Sequence, residues 1–170
     1  ANDDLAMTFS GKYRTAEKGP GIADFEASFS RISAPSIWRY FPNSVPEATR
    51  SWLKRALLAG MATGVTATLR GDLSDFPFSD PKKGTFLVMG SMRGVTLDYA
   101  PGWPEITGLD AEMRFGSGMR IEAKTGKILG AQIGPVIAEI PQFDAPITHL
   151  LVDGQAQGPT SEFLRFIEKS

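Results

Sequence analysis

The chain has 170 residues, 42% of them hydrophobic and 22% charged, which suits a folded domain with a core and argues against a disordered chain. Eighteen basic residues against nineteen acidic ones leave a net charge of −1, without the basic excess of a nucleic-acid binder. With no cysteine, disulfides, thiolate catalysis and Cys-based zinc sites are excluded. Apolar runs are only a few residues long, far from the roughly 20 that cross a bilayer, and the acidic start Ala1-Asn2-Asp3-Asp4 is no signal peptide, so a membrane anchor is expected outside this segment.

In chain order the dominant pattern is alternation. Residues 4–14 alternate through Leu5, Met7 and Phe9, and residues 22–32 set Ala23, Phe25, Ala27 and Phe29 against Asp24, Glu26, Ser28 and Ser30. A period of two with one apolar side predicts half-buried strands, the mark of an antiparallel sheet. After a short aromatic turn at Ile37–Phe41, a helix is predicted over about 44–59. Ser44 with Glu47 reads as a capping box, Pro46 suits the first turn, and Gly60 reads as the stop. Its apolar stripe is Trp52, Leu53, Ala56 and Leu57, expected to cover part of the sheet, with Arg50, Lys54 and Arg55 on the solvated side.

Residues 63–73 alternate again through Val65, Ala67, Leu69 and Leu73. Short strands are expected at 85–92 and 94–99, split by Arg93-Gly94, and another at 107–115 through Leu109, Ala111, Met113 and Phe115. Gly116-Ser117-Gly118 is a turn, then Met119, Ile121 and Ala123 alternate up to a second turn at Thr125-Gly126. A long strand over 127–140, bent at Gly134-Pro135, a last strand over about 147–157 and a helix over about 160–169 complete the chain. The expected fold is mainly β (α+β by its helix content): a curved antiparallel meander with one covering helix and a C-terminal helix.

Motifs for chemistry are weak. The sole histidine, His149, lies in an alternating stretch, and no Gly-x-Ser-x-Gly elbow presents a nucleophile. Acid pairs such as Asp3/Asp4, Asp72/Asp75, Glu105/Asp110 and Glu139/Asp144 fall on polar strand faces or in loops without metal-binding spacing. Gly116-Ser117-Gly118 and Gly126–Gly130 lack the spacing of a phosphate loop. The chain is therefore expected to be no enzyme and to carry no metal or cofactor. A one-sided meander must hide its apolar face by closing, stacking, taking a helical cover, or curling into a trough filled by lipid. The candidate lining of that face is Phe25, Phe29, Val65, Leu69, Leu109, Met113, Phe115 and Ile121.

Several blocks carry a family resemblance. Trp52-Leu53-Lys54-Arg55-Ala56-Leu57-Leu58-Ala59-Gly60, Leu69-Arg70-Gly71-Asp72-Leu73-Ser74-Asp75-Phe76-Pro77-Phe78, Leu97-Asp98-Tyr99-Ala100-Pro101-Gly102-Trp103-Pro104-Glu105-Ile106, and Val152-Asp153-Gly154-Gln155-Ala156-Gln157-Gly158 followed by Phe163-Leu164-Arg165-Phe166 are similar to the centre of the YhdP branch of the AsmA-like family. That resemblance implies a long envelope protein anchored in the inner membrane, mostly periplasmic, with a greasy β groove open along one side. It implies phospholipid as a partner, a part in phospholipid transport between inner and outer membranes and in outer-membrane permeability, and no catalytic residues. Residues 1–170 would then be one segment of the groove, adjoining other segments of the same parent chain. The alternative is a structural or protein-docking module of an envelope protein.

Overall fold

A computed structural model describes residues 4–41 and 46–169. Ser44, the expected helix cap, and Asp3 lie outside them. The strands are β1 (Leu5–Arg14), β2 (Ile22–Ser33), β3 (Leu57–Asp72), β4 (Gly84–Leu97), β5 (Ile106–Phe115), β6 (Met119–Ile128), β7 (Ala131–Ile140) and β8 (Leu151–Gln157). They form one eight-stranded antiparallel sheet in the order β1 to β8, curled but not closed. A 3-10 segment (Ala34–Tyr40) and α1 (Glu47–Ala56) stand between β2 and β3, and α2 (Thr160–Lys169) ends the described chain. The mainly β meander and both helices are as the alternation and helical spacing predict.

Local boundaries differ where tertiary pairing overrides local signals. The first helix stops at Ala56 rather than near Gly60, because Leu57 is already extended and pairs with Leu97 of β4. Gly60 instead sits inside β3 at φ 97, where a Cβ would come within 2.5 Å of the Val95 Cα. The two strands expected either side of Arg93-Gly94 are the single strand β4. Thr125-Gly126 is not a turn: β6 runs on to Ile128, which pairs with Ala131 across a turn at Leu129-Gly130. The last strand begins at Leu151, so His149 lies in the irregular segment before it.

A line of β-bulges crosses the sheet and explains these departures. An extra residue in one strand reverses the alternation, so residues three apart come to share a face. Phe29 and Ile32 pair with Val65 and Ala62, and all four belong to one apolar cluster. Met92/Val95, Ile106/Leu109 and Ala123/Gly126 show the same skip in β4, β5 and β6, and Ile133/Val136 shows it in β7 at Gly134-Pro135. Gly64, Gly94 and Gly108 lie in these bulges with φ near +60 (59, 58 and 59), the left-handed conformation that glycine adopts without steric cost. The Gly94 N–H also donates to the Asp110 carboxylate at 2.8 Å, which pins the bulge to the neighbouring strand.

Because of the skips, one face stays apolar along whole strands. A middle row runs Phe9, Ala27, Ala67, Val88, Phe115, Met119, Ile140, each paired with the next. Beside it an inner row contains Met7, Phe29, Val65, Met113, Ile121, Ala138 and Val152, with Gly90 of β4 between Val65 and Met113. Next comes Leu5, Ile32, Ala62, Met92, Ala111, Ala123, Val136 and Gly154. On the other flank lies an outer row of Phe25, Leu69 and Phe86.

The opposite face is polar and tied by ion pairs. Arg70 bonds Asp24 at 2.9 Å and also Glu26; Arg120 bonds Glu122 at 2.7 Å and Glu139 at 2.9 Å; Lys124 bonds Glu112 at 2.7 Å. Glu112 is held below the usual carboxylate range by hydrogen bonds from Lys124 and Ser91.

The bulges make a direct prediction. A Cβ on Gly94 would meet nothing within 4 Å, so a side chain there costs only its backbone conformation. Gly94→Val is expected to lower the unfolding free energy by roughly 1–2 kcal/mol, the cost of holding an L side chain left-handed. Gly94→Asn should cost less, since Asn visits that region. Urea unfolding checks this, and identical midpoints for both variants and the parent would contradict it.

Candidate apolar trough

The sheet has two lips, formed by the two ends of its strands. One carries the 3-10 segment, α1, the connection 98–105 and α2; it also holds the chain's three tryptophans, Trp38, Trp52 and Trp103. The 3-10 segment, more than α1, lies on the apolar face. Ala34 shares a buried cluster with Val95, Leu109, Ala111 and Ala123, while Ile37 packs on Leu5, Ile32 and Val65. Of the helix residues expected to cover the sheet, Ala56 is fully buried, Leu57 is the first residue of β3 and packs on the Ala34 cluster, Leu53 is half-buried, and Trp52 is exposed. The Trp52 Nε1–H donates to the Tyr99 carbonyl at 3.1 Å, the Arg55 guanidinium pairs with Asp98 at 3.1 Å, and the Asp98 N–H donates to the Ala56 carbonyl at 2.8 Å. These bonds fix α1 to the connection after β4. The Lys54 ammonium stands 4.8 Å from the centre of the Trp38 ring, a cation–π contact.

Tyr99, Trp103 and Phe166 then stack edge to face, with centroids 5.8 and 5.6 Å apart, bringing α2 to the same lip. The Glu162 carboxylate accepts the Gly130 N–H at 3.0 Å. This bond, helped by Arg165, holds the Glu162 carboxyl below its ordinary value. Phe163, Leu164 and Ile167 of α2 remain exposed.

The opposite lip has a smaller cover. The Phe78 ring is buried over the paired residues Gly71 and Gly84: a Cβ on Gly71 or Gly84 would meet that ring at 2.8 and 2.5 Å. Phe76 packs beside Phe78 and, at 5.1 Å between centroids, against Phe86 of the outer row.

Between these covers the apolar face is open. In the outer, middle and inner rows Val65 alone is buried; the others are half-buried or exposed, with Phe9 at 59% and Val152 at 64%. No described side chain larger than Val95 is fully buried. Of the candidate lining, Phe25, Phe29, Leu69, Met113, Phe115 and Ile121 lie half-buried in these rows, whereas Val65 and Leu109 are buried beneath the 3-10 segment. Reasoning from the sequence missed Phe78, which lies outside any periodic stretch; the signal was the pair Gly71 and Gly84 at facing strand ends. His149 is exposed, and no group of three His, Asp or Glu among the described residues is placed to hold a metal ion. No helix among them is long and apolar enough to cross a membrane.

The family model described as YhdP protein matches residues 1–170. The chain belongs to the YhdP family. Over 135 residues it is 28% identical to the intermembrane phospholipid transporter YhdP of Escherichia coli (strain K12), a match covering 78% of this chain and 10% of that protein. The chain thus spans about a tenth of the length of this YhdP relative. No solved structure matches. The sequence blocks that carry the resemblance fall mainly at the two lips: residues 52–60 join α1 to β3, 69–78 end at the Phe78 cover, 97–106 hold Tyr99 and Trp103, and 152–166 form β8 and α2.

The Glu162 contact has a pH signature. Its carboxyl is depressed in the folded state, so its contribution to holding α2 is present above the ordinary Glu value of 4.5 and is lost as pH falls through the folded value. Hydrogen-exchange protection of the Gly130 amide, corrected for intrinsic rates, is expected to fall in that acid window. Glu162→Gln should weaken protection at neutral pH and flatten its pH dependence; unchanged protection in the variant would contradict the assignment.

Proposed function

We propose that this chain is a section of the wall of a lipid conduit: a segment of a longer periplasmic β-groove protein, anchored in the inner membrane elsewhere in its sequence, that helps move phospholipid between the inner and outer membranes and so maintains the outer-membrane barrier. The observation that carries this reading is the open apolar face, continuous in register from β1 to β8 and half-accessible along its middle. Full burial of a Val, Leu or Phe is worth about 1.5–3 kcal/mol, so these rows keep a large hydrophobic term in reserve for an apolar guest. Acyl chains fit such a surface because they need no hydrogen-bond partner and tolerate sliding. Kinship with a protein named as an intermembrane phospholipid transporter supports the same guest. No step of this function requires a catalytic side chain, metal or cofactor.

The unpaired edges of β1 and β8 would join neighbouring strands of the parent chain, extending the trough in both directions. A second reading, a protein-docking module, is favoured by the exposed Phe163, Leu164 and Ile167 of α2. The two separate on one variant. Val88→Asp places a charge in the middle of the face, where Val88 is half-buried and the sheet can still form. In the full-length protein it is expected to reduce, at least several-fold, the crosslinking of a photoactivatable phospholipid to this segment, mapped by peptide mass spectrometry. Undiminished crosslinking to this segment in the variant, or none in the parent protein, would rule out the conduit.

A further inference from the structure

Resting on the lipid reading above, we propose that the acyl chains do not use the whole apolar face but run in a track at most three side-chain rows wide, walled by the 3-10 segment on one side and, at β3 and β4, by Phe78 on the other. The walls are built features. Ala34 and Ile37 seal the strand ends nearest the helices, where Val95 is 1% and Leu109 7% exposed. No acyl chain reaches those side chains unless the 3-10 segment lifts away. At the other lip, two facing glycines, Gly71 and Gly84, make room for the Phe78 ring, itself 5% exposed. The residue holds this position at φ 61, a conformation that a bulky side chain adopts only when its surroundings impose it.

On β2 to β4 the outer, middle and inner rows lie between the walls, apart from Val65 beneath Ile37, and on β5 to β7 the middle and inner rows continue the track. Phe25 and Phe29 mark the width on β2: four residues along a strand, roughly 14 Å. The track's direction is that of the rows, across the strands, so each acyl methylene passes from one strand to the next over Phe25, Val88, Phe115 or Ile121 without meeting a polar group. The walls make the path narrower than the sheet and keep lipid away from the ion pair and hydrogen bonds that fix α1 at Asp98 and Tyr99. Phe78 and Ile37 are accordingly residues that set the width of the path, and thereby how many acyl chains lie side by side.

The test needs no substitution in its first arm. The unmodified full-length protein is loaded with a phospholipid carrying a photoactivatable diazirine in one acyl chain, irradiated, and its adducts mapped by peptide mass spectrometry. Adducts are expected on β2, β4 and β5 at Phe25, Val88 and Phe115, at least tenfold above those on Val95 and Leu109. In a Phe78→Ala variant, adducts should spread to the strand ends at Gly71 and Gly84. Equal labelling of Val95 and Leu109 with the middle row overturns the walled track and leaves the conduit standing. A Phe78→Ala pattern identical to the parent overturns the role of Phe78. Absence of adducts anywhere on the apolar face overturns both the track and the conduit.

Discussion

Everything in this structure depends on keeping one face of a long, eight-stranded sheet apolar from end to end. Strict alternation over strands of seven to sixteen residues would satisfy that demand only in a sheet without irregularities. Here β2 to β7 skip a residue at corresponding places, and the skip is compensated in the sequence by apolar side chains three apart. Had a single strand kept its alternation through the bulge line, half its length would present Thr, Glu or Arg to the apolar side. The bulge in each strand and the spacing of its apolar residues therefore have to agree, and glycine at Gly64, Gly94 and Gly108 supplies the backbone that the bulge needs.

A face kept apolar in this way must be covered by something. The chain covers only its margins: a 3-10 segment at one lip and one phenylalanine at the other. The middle is left half-accessible, while the back of the sheet is solvated and cross-linked by Arg70, Arg120 and Lys124 ion pairs. Exposed pairs of this kind contribute little stability individually. Their effect is to fix the polarity of the back face, so that the sheet has one polar side and one apolar side. The helices gather at one lip, joined by Trp52, Tyr99, Trp103 and Phe166, and the middle rows stay partly exposed among the described residues.

Much of this was legible in the residues. Alternation marks part of every strand, glycine chemistry marks the turn at 116–118, and the apolar spacing of α2 gives its bounds. The departures have a common cause. Arg93-Gly94, Thr125-Gly126 and Gly60 carry turn and stop chemistry locally, yet each lies within a strand because neighbouring strands hold it there. The clue was the three-residue spacing of Met92/Val95, Ile106/Leu109 and Ile133/Val136, which reads as a break in a strand when taken alone and as one bulge line when taken together. Val65 and Leu109 carry the same alternation as Phe115 and Ile121, so nothing local distinguishes a side chain under the 3-10 segment from one in the open rows. That difference arises from packing between distant elements.

In a conduit wall of this kind, lipid and not protein covers the middle of the apolar face. Electron cryomicroscopy of the full-length protein, purified with its native lipid, addresses this most directly. Elongated density is predicted to cross the strands over Phe25, Val88, Phe115 and Ile121, between Ile37 and Phe78, with no polypeptide above those side chains. A helix or strand of the parent protein seated on that surface, with side chains interdigitating among the middle-row residues, would contradict it.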